Sequence, residues 1–371
     1  MALGFRQIVE ANGAMVASRQ LCEIATEEKI KLNDWSLREL HEAFCGDNVK
    51  SFLSQTPGYQ YQSSVKEADV QSSAFSNLIG VLLTNEVIAA YDAVPKIGDS
   101  LVKVYKSKLK DERMAGFSAQ DEPGDVNEDQ EYPTDGLSDK YVTLPDPKKK
   151  GRVIYVTEEA IFYDQTAQLI ERAQGIGAKI AEVREKRIIS GVTGGHVCYS
   201  PLGVPTALYG GAPQLVAANA LVDWTDLEKA ELDGLGAMVD EKGAKITVRA
   251  TMILVPRALY RTATRLLNAT QVSHLTNTST IDTYSVNPYR PGELVPVMSD
   301  FVSTYTSNNT SWFIGDPTKQ FRWKEVYPIQ TFRLMDNSIL EFTKDVKFAY
   351  KVRYKGDIFA IDNKYFVKNN A

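Results

Sequence analysis

The sequence predicts an α+β fold, and three observations carry that reading. Leu169, Ala173, Ile176, Ile180 and Val183 recur at helical spacing across 158–190, a stretch without proline. Val346, Phe348, Tyr350, Val352 and Tyr354 alternate with Lys347, Ala349, Lys351, Arg353 and Lys355, as in a strand with one buried and one wet face. Residues 101–109 alternate in the same way, and β-rich runs return at 140–144 and 151–156, which reads as a long two-stranded arm.

Taken in order, residues 1–75 are weakly helical, with Leu37, Leu40 and Phe44 at helical spacing behind the candidate caps Asn33 and Asp34. The polar stretch 51–73 reads as a loop or extended arm. A helical pattern resumes over 75–91 and is closed by Pro95 and Gly98. The two-stranded arm follows. An isolated hairpin is marginal in water, so this arm needs something to lie on.

Thr157 is placed to cap a single helix over 158–190, 33 residues long and therefore about 50 Å at roughly 1.5 Å per residue. Gly175 and Gly177 inside it mark a bend or close packing. Residues 191–211 are punctuated by Gly and Pro, and Thr225-Asp226-Leu227-Glu228 has the form of a capping box opening a helix that ends before Gly243. A strand over 245–255 runs into Pro256, which suits a helix start, with Leu259, Ala263 and Leu266 on one face. Residues 268–309 read as loop with short strands, and Gly356-Asp357 as a turn after the C-terminal strand.

The 371 residues are 43% hydrophobic and 24% charged, an ordinary globular composition for two or three structural units. The net charge of −5 argues against a dedicated nucleic-acid binder. It is unevenly spread: 121–139 holds eight acidic side chains, beginning with Asp121 and Glu122, and no Lys or Arg, so the rest of the chain carries +3. Cys22, Cys45 and Cys198 are widely spaced and odd in number, which fits a reducing compartment. The N-terminus has no secretory pattern, and no apolar run is long enough to span a membrane.

Signals for catalytic chemistry are sparse. His41-Glu42-Ala43-Phe44-Cys45 opens like a zinc-protease helix but has Cys45 where the second His belongs. Asp125-Val126-Asn127-Glu128-Asp129 imitates a calcium loop but continues with Gln130 and Gly136 where Gly and Glu are required. Cys198 with His196 is the one candidate nucleophile and base, against a plain small-residue turn. Gly175 and Gly177 do not form a dinucleotide fingerprint. We therefore expect no catalytic residue, no metal and no cofactor. Lys148, Lys149, Lys150 and Arg152 form a dense basic run, read as a solvated face, a contact to acidic groups on another subunit, or a phosphate contact.

The segments KKKGRVIYVTEEAIFYDQT, WTDLEKAELDGLGAMVDEKG, MILVPRALYRTATRLL, GDPTKQFRWKEVYPIQTF and FAYKVRYKGDIFAID, in this order, resemble the major capsid proteins of tailed bacteriophages, closest to the Mu-like branch of the Hong Kong 97 fold. The resemblance covers 75–371. It implies an N-terminal arm over 1–75, a first piece of a peripheral domain over 76–97, and an extended loop over 98–156 lying across a neighbouring subunit. It further implies a spine helix over 157–193, an axial domain over 194–331, and C-terminal strands over 332–371 that return to the peripheral domain. The implied protein has no catalytic site and self-assembles as hexamers and pentamers into an icosahedral head around double-stranded DNA, without sequence-specific binding and without a membrane. Scaffold, portal and decoration proteins are the implied partners, with assembly in the host cytoplasm. On this reading Asp121 and Glu122 meet Lys148, Lys149, Lys150 and Arg152 across subunits. The alternatives are an encapsulin-like nanocompartment shell and a soluble cysteine hydrolase.

Overall fold

The computed structural model describes residues 12–26, 40, 43–44, 65–116, 125–128, 130–131, 141–163, 165–240, 243–277, 280–289, 292–335 and 343–371. The main helices are α1 (Ala14–Thr26), α2 (Val65–Ala93), α3 (Glu158–Phe162), α4 (Thr166–Val192), α5 (Trp224–Lys229) and α6 (Arg257–Asn268). The strands are β1 (Lys103–Lys106), β2 (Arg113–Ala115), β3 (Tyr141–Thr143), β4 (Lys149–Thr157), β5 (Leu215–Val216), β6 (Met252–Val255) and β7 (Gln271–Asn277). They continue with β8 (Thr280–Val286), β9 (Val295–Met298), β10 (Trp312–Gly315), β11 (Phe321–Met335), β12 (Val346–Ala360) and β13 (Phe366–Asn369). Helices and strands divide between two compact units, so the α+β expectation holds.

The first unit draws on Met1–Pro95, Lys149–Val183 and Ile329–Tyr354. Helix α2 buries Leu78, Ile79, Leu82, Leu83 and Val87, and α1 packs beside it with Ala17 and Leu21 inside. Here β4 neighbours β12, which neighbours β11. The alternation read from 346–355 holds at most positions, with Val346, Tyr350, Val352 and Tyr354 buried and Lys351 exposed, but Ala349, expected on the wet face, is buried as well. Tyr350 donates to the Thr84 hydroxyl at 2.9 Å, tying strand to helix.

The second unit draws on Lys96–Lys148, Arg184–Pro328 and Lys355–Ala371. Its five-stranded sheet has the order β5-β13-β10-β6-β9. The central strand β10 is buried on both faces, which explains its unbroken Trp-Phe-Ile-Gly run. Trp312 and Ile314 face a core that includes Leu227, Met238, Ile253, Ala263 and Leu267. Phe313 stacks on Phe366 at 5.9 Å between centroids. Gly315 has φ 141°, and a Cβ there would collide with the Tyr365 carbonyl.

Several expectations are corrected. The helix expected over 75–91 starts at Val65, so the end of the polar stretch 51–73 is helical. Leu40 and Phe44 are buried as expected, whereas Leu37 and the caps Asn33 and Asp34 lie outside the described residues. The single helix over 158–190 is two helices. Thr157 accepts from Ala160 N at 3.3 Å and caps α3 as expected, but Gln165 N then reaches back to Ala160 O, ending that turn before α4 starts.

The long arm is also redistributed. β1 pairs in parallel with β11, from Lys103↔Arg322 to Lys106↔Glu325, and β4 joins β12. Among the described residues of 101–156, only β2 and β3 pair with each other in antiparallel fashion, with Met114 opposite Val142. Strands that can join a larger ladder gain partners an isolated hairpin lacks. The capping box belongs to Asp223 and Asp226 instead of Thr225 and Glu228, and the helix it opens runs only through a π turn and a 3-10 turn to Ala237. Gly356-Asp357 is no turn: β12 runs straight through it, and Gly356 is needed because a Cβ would lie 2.7 Å from Trp323 Cζ2.

Candidate functional site

Lys149, Lys150 and Arg152 of the basic run lie at the start of β4 in the first unit, directly after Lys148, and the two-residue period of the strand decides where each of their side chains goes. Ile154 and Val156 are buried, and Lys150 and Arg152 continue the same face toward the strand's start. There they line a groove of about 930 Å³ against α4, whose Arg172, Ile176, Lys179 and Val183 form the opposite wall. Arg172, Ile176, Lys179 and Val183 recur every three or four residues, one face of a helix. Lys148, Lys149 and Arg152 are exposed and Lys150 is half-buried. Lys179 also pairs with Glu182 at 2.6 Å. Gly151 lies against the Val352 carbonyl, where a Cβ would not fit, and this lets β4 approach β12 closely.

The opposite face of this sheet is equally distinctive. Val153, Tyr155, Phe332 and Leu334 are about two-fifths exposed. Cations cover the rings: Arg353 Cζ lies 4.2 Å and Lys351 Nζ 5.1 Å from the Phe332 centroid, and Lys344 Nζ 5.9 Å from that of Tyr155. Both faces thus combine apolar area with positive charge, a chemistry that suits an acidic, partly apolar segment of polypeptide.

Of the acidic stretch, Asp121 and Glu122 lie outside the described residues. The described part contains an exposed turn in which Gln130 N donates to Asn127 O at 3.1 Å. Gln130, which stands where a calcium loop requires glycine, accepts from Asn127 N through its side chain. Among the described residues no group of three or more His, Cys, Asp or Glu is placed to hold a metal, and no helix is long and apolar enough to cross a membrane.

The cysteine hydrolase alternative is overturned in the second unit. Cys198 is buried and its thiol donates to Gly191 O at 3.3 Å. Burial first, then the negative charge of Asp357, pushes that thiol up to about 12, so the nucleophilic thiolate is not formed at neutral pH. His196 Nδ1 sits 3.1 Å from Ser190 Oγ, a contact that ties it to the end of α4.

A family model described as phage capsid protein matches residues 140–369, well over half of the chain. The chain belongs to the phage capsid protein family. Its role is structural, as a capsid subunit of the virion, and it is not an enzyme. The matched stretch contains β4, α4 and the whole five-stranded sheet. Similar solved structures include a virus-like particle from Pyrococcus furiosus, 8% identical, covering 78% of this chain and 98% of that one with a TM-score of 0.44. Another is from Gordonia phage Cozz, 13% identical, covering 85% and 97% with a TM-score of 0.43. The capsid of Cyanophage P-SCSP1u is 10% identical and covers 75% and 88%, with a TM-score of 0.43. No curated protein matches the chain.

Arg172 and Lys179 were missed by the sequence reading. Their signal was present, since they share a helical face with Ile176 and Val183, but nothing local says that β4 lies across that face.

Proposed function

We propose that the chain is the major capsid protein of a tailed phage, a Hong Kong 97-type subunit that assembles as hexamers and pentamers into an icosahedral head around double-stranded DNA. The family match over 140–369 carries this reading. In it, 1–75 is an arm, 98–156 an extended loop and 194–331 an axial domain, and 76–97, 157–193 and 332–354 make a peripheral domain, whereas 355–371, expected from the sequence to return to that domain, goes with the axial part because β13 lies beside β10 in the five-stranded sheet. Scaffold, portal and decoration proteins are its partners, and assembly takes place in the host cytoplasm.

The acidic stretch of one copy, including Asp121 and Glu122, lies on the cationic surface of a neighbour formed by Lys148, Lys149, Lys150 and Arg152. Support comes from the opposite charges and from the groove that Lys150 and Arg152 share with Arg172 and Lys179. Exposed ion pairs contribute only about 0–1 kcal/mol each, so apolar area carries the contact and charge sets its register. A net charge of −5 suits a shell that must enclose DNA without gripping it.

The test is the variant Lys148→Glu, Lys149→Glu, Lys150→Glu, compared with the unaltered chain by pelleting of assembled particles and by circular dichroism. A folded chain that no longer pellets is expected. Normal particles from the variant would remove the cross-subunit role of the basic run.

A further inference from the structure

A second pair of complementary surfaces lies in the second unit, far in sequence from the basic run. One is a cleft of about 800 Å³ lined by Trp224, Glu228, Glu231, Arg249, Tyr289 and Glu293 among others. Glu293 is held by Arg249 at 3.0 Å. Among the described residues Glu228 and Glu231 have no basic partner, so the lining keeps two carboxylates in excess. Burial, with Glu293 and Glu228 nearby, pushes the Glu231 carboxyl up even though Tyr289 hydrogen-bonds to it. Such a cleft, with carboxylates between a Trp and a Tyr, has the chemistry that takes a guanidinium.

The other surface is α6. Ala263 and Leu267 are buried, whereas Arg257, Arg261 and Arg265 recur every four residues along the exposed side. Arg257 is used by Asp300, with bonds of 2.6 and 2.7 Å. Among the described residues Arg261 and Arg265 have no acidic partner, which leaves two guanidiniums in excess. They stand one helical turn apart, about 6 Å along the axis. Glu228 and Glu231, three residues apart in consecutive helical turns, are spaced alike, about 5–6 Å between Cβ atoms.

We infer that Arg261 and Arg265 of one copy seat in the Glu228 and Glu231 cleft of the next copy. Among the described residues neither pair has an oppositely charged partner, and the excess charges are opposite in sign and alike in number and spacing. The two surfaces are different patches, so the contact is head-to-tail and is satisfied throughout only when the copies close into a ring. The inference rests on the capsid reading and adds to it the contact that closes each capsomer.

The experiment uses the full chain, with rings and shells scored by native mass spectrometry and negative-stain microscopy. Arg261→Glu with Arg265→Glu is expected to lose five- and six-membered rings while keeping its circular dichroism spectrum, and Glu228→Arg with Glu231→Arg likewise. Mixed in equal amounts, the two variants complement each other only in alternation, so six-membered rings return and five-membered rings do not. If the second variant fails to fold, Glu228→Gln with Glu231→Gln takes its place and is expected to lose rings. Wild-type shells alongside normal rings from the Arg261→Glu, Arg265→Glu variant would overturn the inference and leave the capsid reading intact. A wild-type chain that forms neither rings nor shells would overturn the capsid reading itself.

Discussion

The Lys324 ammonium, fully buried in β11, lies 3.8 Å from the Glu112 carboxylate and donates to the Leu109 carbonyl at 2.9 Å. Glu112 also accepts from the Ser107 and Tyr105 hydroxyls. A buried cation thus fixes the root of the segment that leads toward the acidic stretch. Removing the anion leaves that cation uncompensated, which costs more than removing the cation and leaving a carboxylate with two hydroxyl partners. We expect Glu112→Ala to lose about 2–3 kcal/mol and Lys324→Met about 1 kcal/mol, measured by urea unfolding.

The same cluster sets a pH dependence. Burial raises the Glu112 pKa, but the hydrogen bonds from Ser107 and Tyr105 and the charge of Lys324 outweigh it, so the folded value lies below the ordinary 4.5. A depressed carboxylate contributes stability that is present above its unfolded pKa and is lost as pH falls through the folded one. The stability gap between the unaltered chain and Glu112→Gln should therefore be constant above about pH 5 and shrink on further acidification. A gap that widened in acid would contradict the assignment.

Two glycines in α4 should respond in opposite directions. A Cβ at Gly175 meets nothing within 4 Å, whereas one at Gly177 would strike the Val87 carbonyl. Gly175→Ala should stabilise by up to about 1 kcal/mol through helix propensity, and Gly177→Ala should destabilise by about 1–3 kcal/mol through overpacking. Thermal melts of the two variants decide the matter. Gly177 is thus the close-packing glycine that the sequence reading held open as one of two roles.

How far such features can be read from the chain depends on whether their signal is local. The alternation from Val346 to Tyr354 and the cap at Thr157 are local, and both are realised, the alternation at most positions. Gly356 carries the same signal whether it turns the chain or lets an indole approach, and only Trp323, 33 residues away, distinguishes them. The pairing of β1 with β11 joins residues more than 200 positions apart and leaves no trace in either strand. The break between α3 and α4 falls at Tyr163 and Gln165 with neither Pro nor Gly to announce it. Among the candidate site residues, the basic run was legible as a run of like charge, but its partners Arg172 and Lys179 required knowing which helix face β4 covers.

Cys198 should be inert in the folded chain. With the other two cysteines replaced by serine, the thiol should not react with a disulfide reagent at pH 8 until denaturant is added, because burial holds it protonated. Rapid reaction of the native chain would reopen the nucleophile reading.

The most direct test of the account is sedimentation velocity on the purified full-length chain, with negative-stain microscopy of the same fractions. Closed shells, or rings of five and six copies, are the expected result. A monodisperse monomer or dimer, unchanged by crowding or by a co-expressed scaffold, would contradict it.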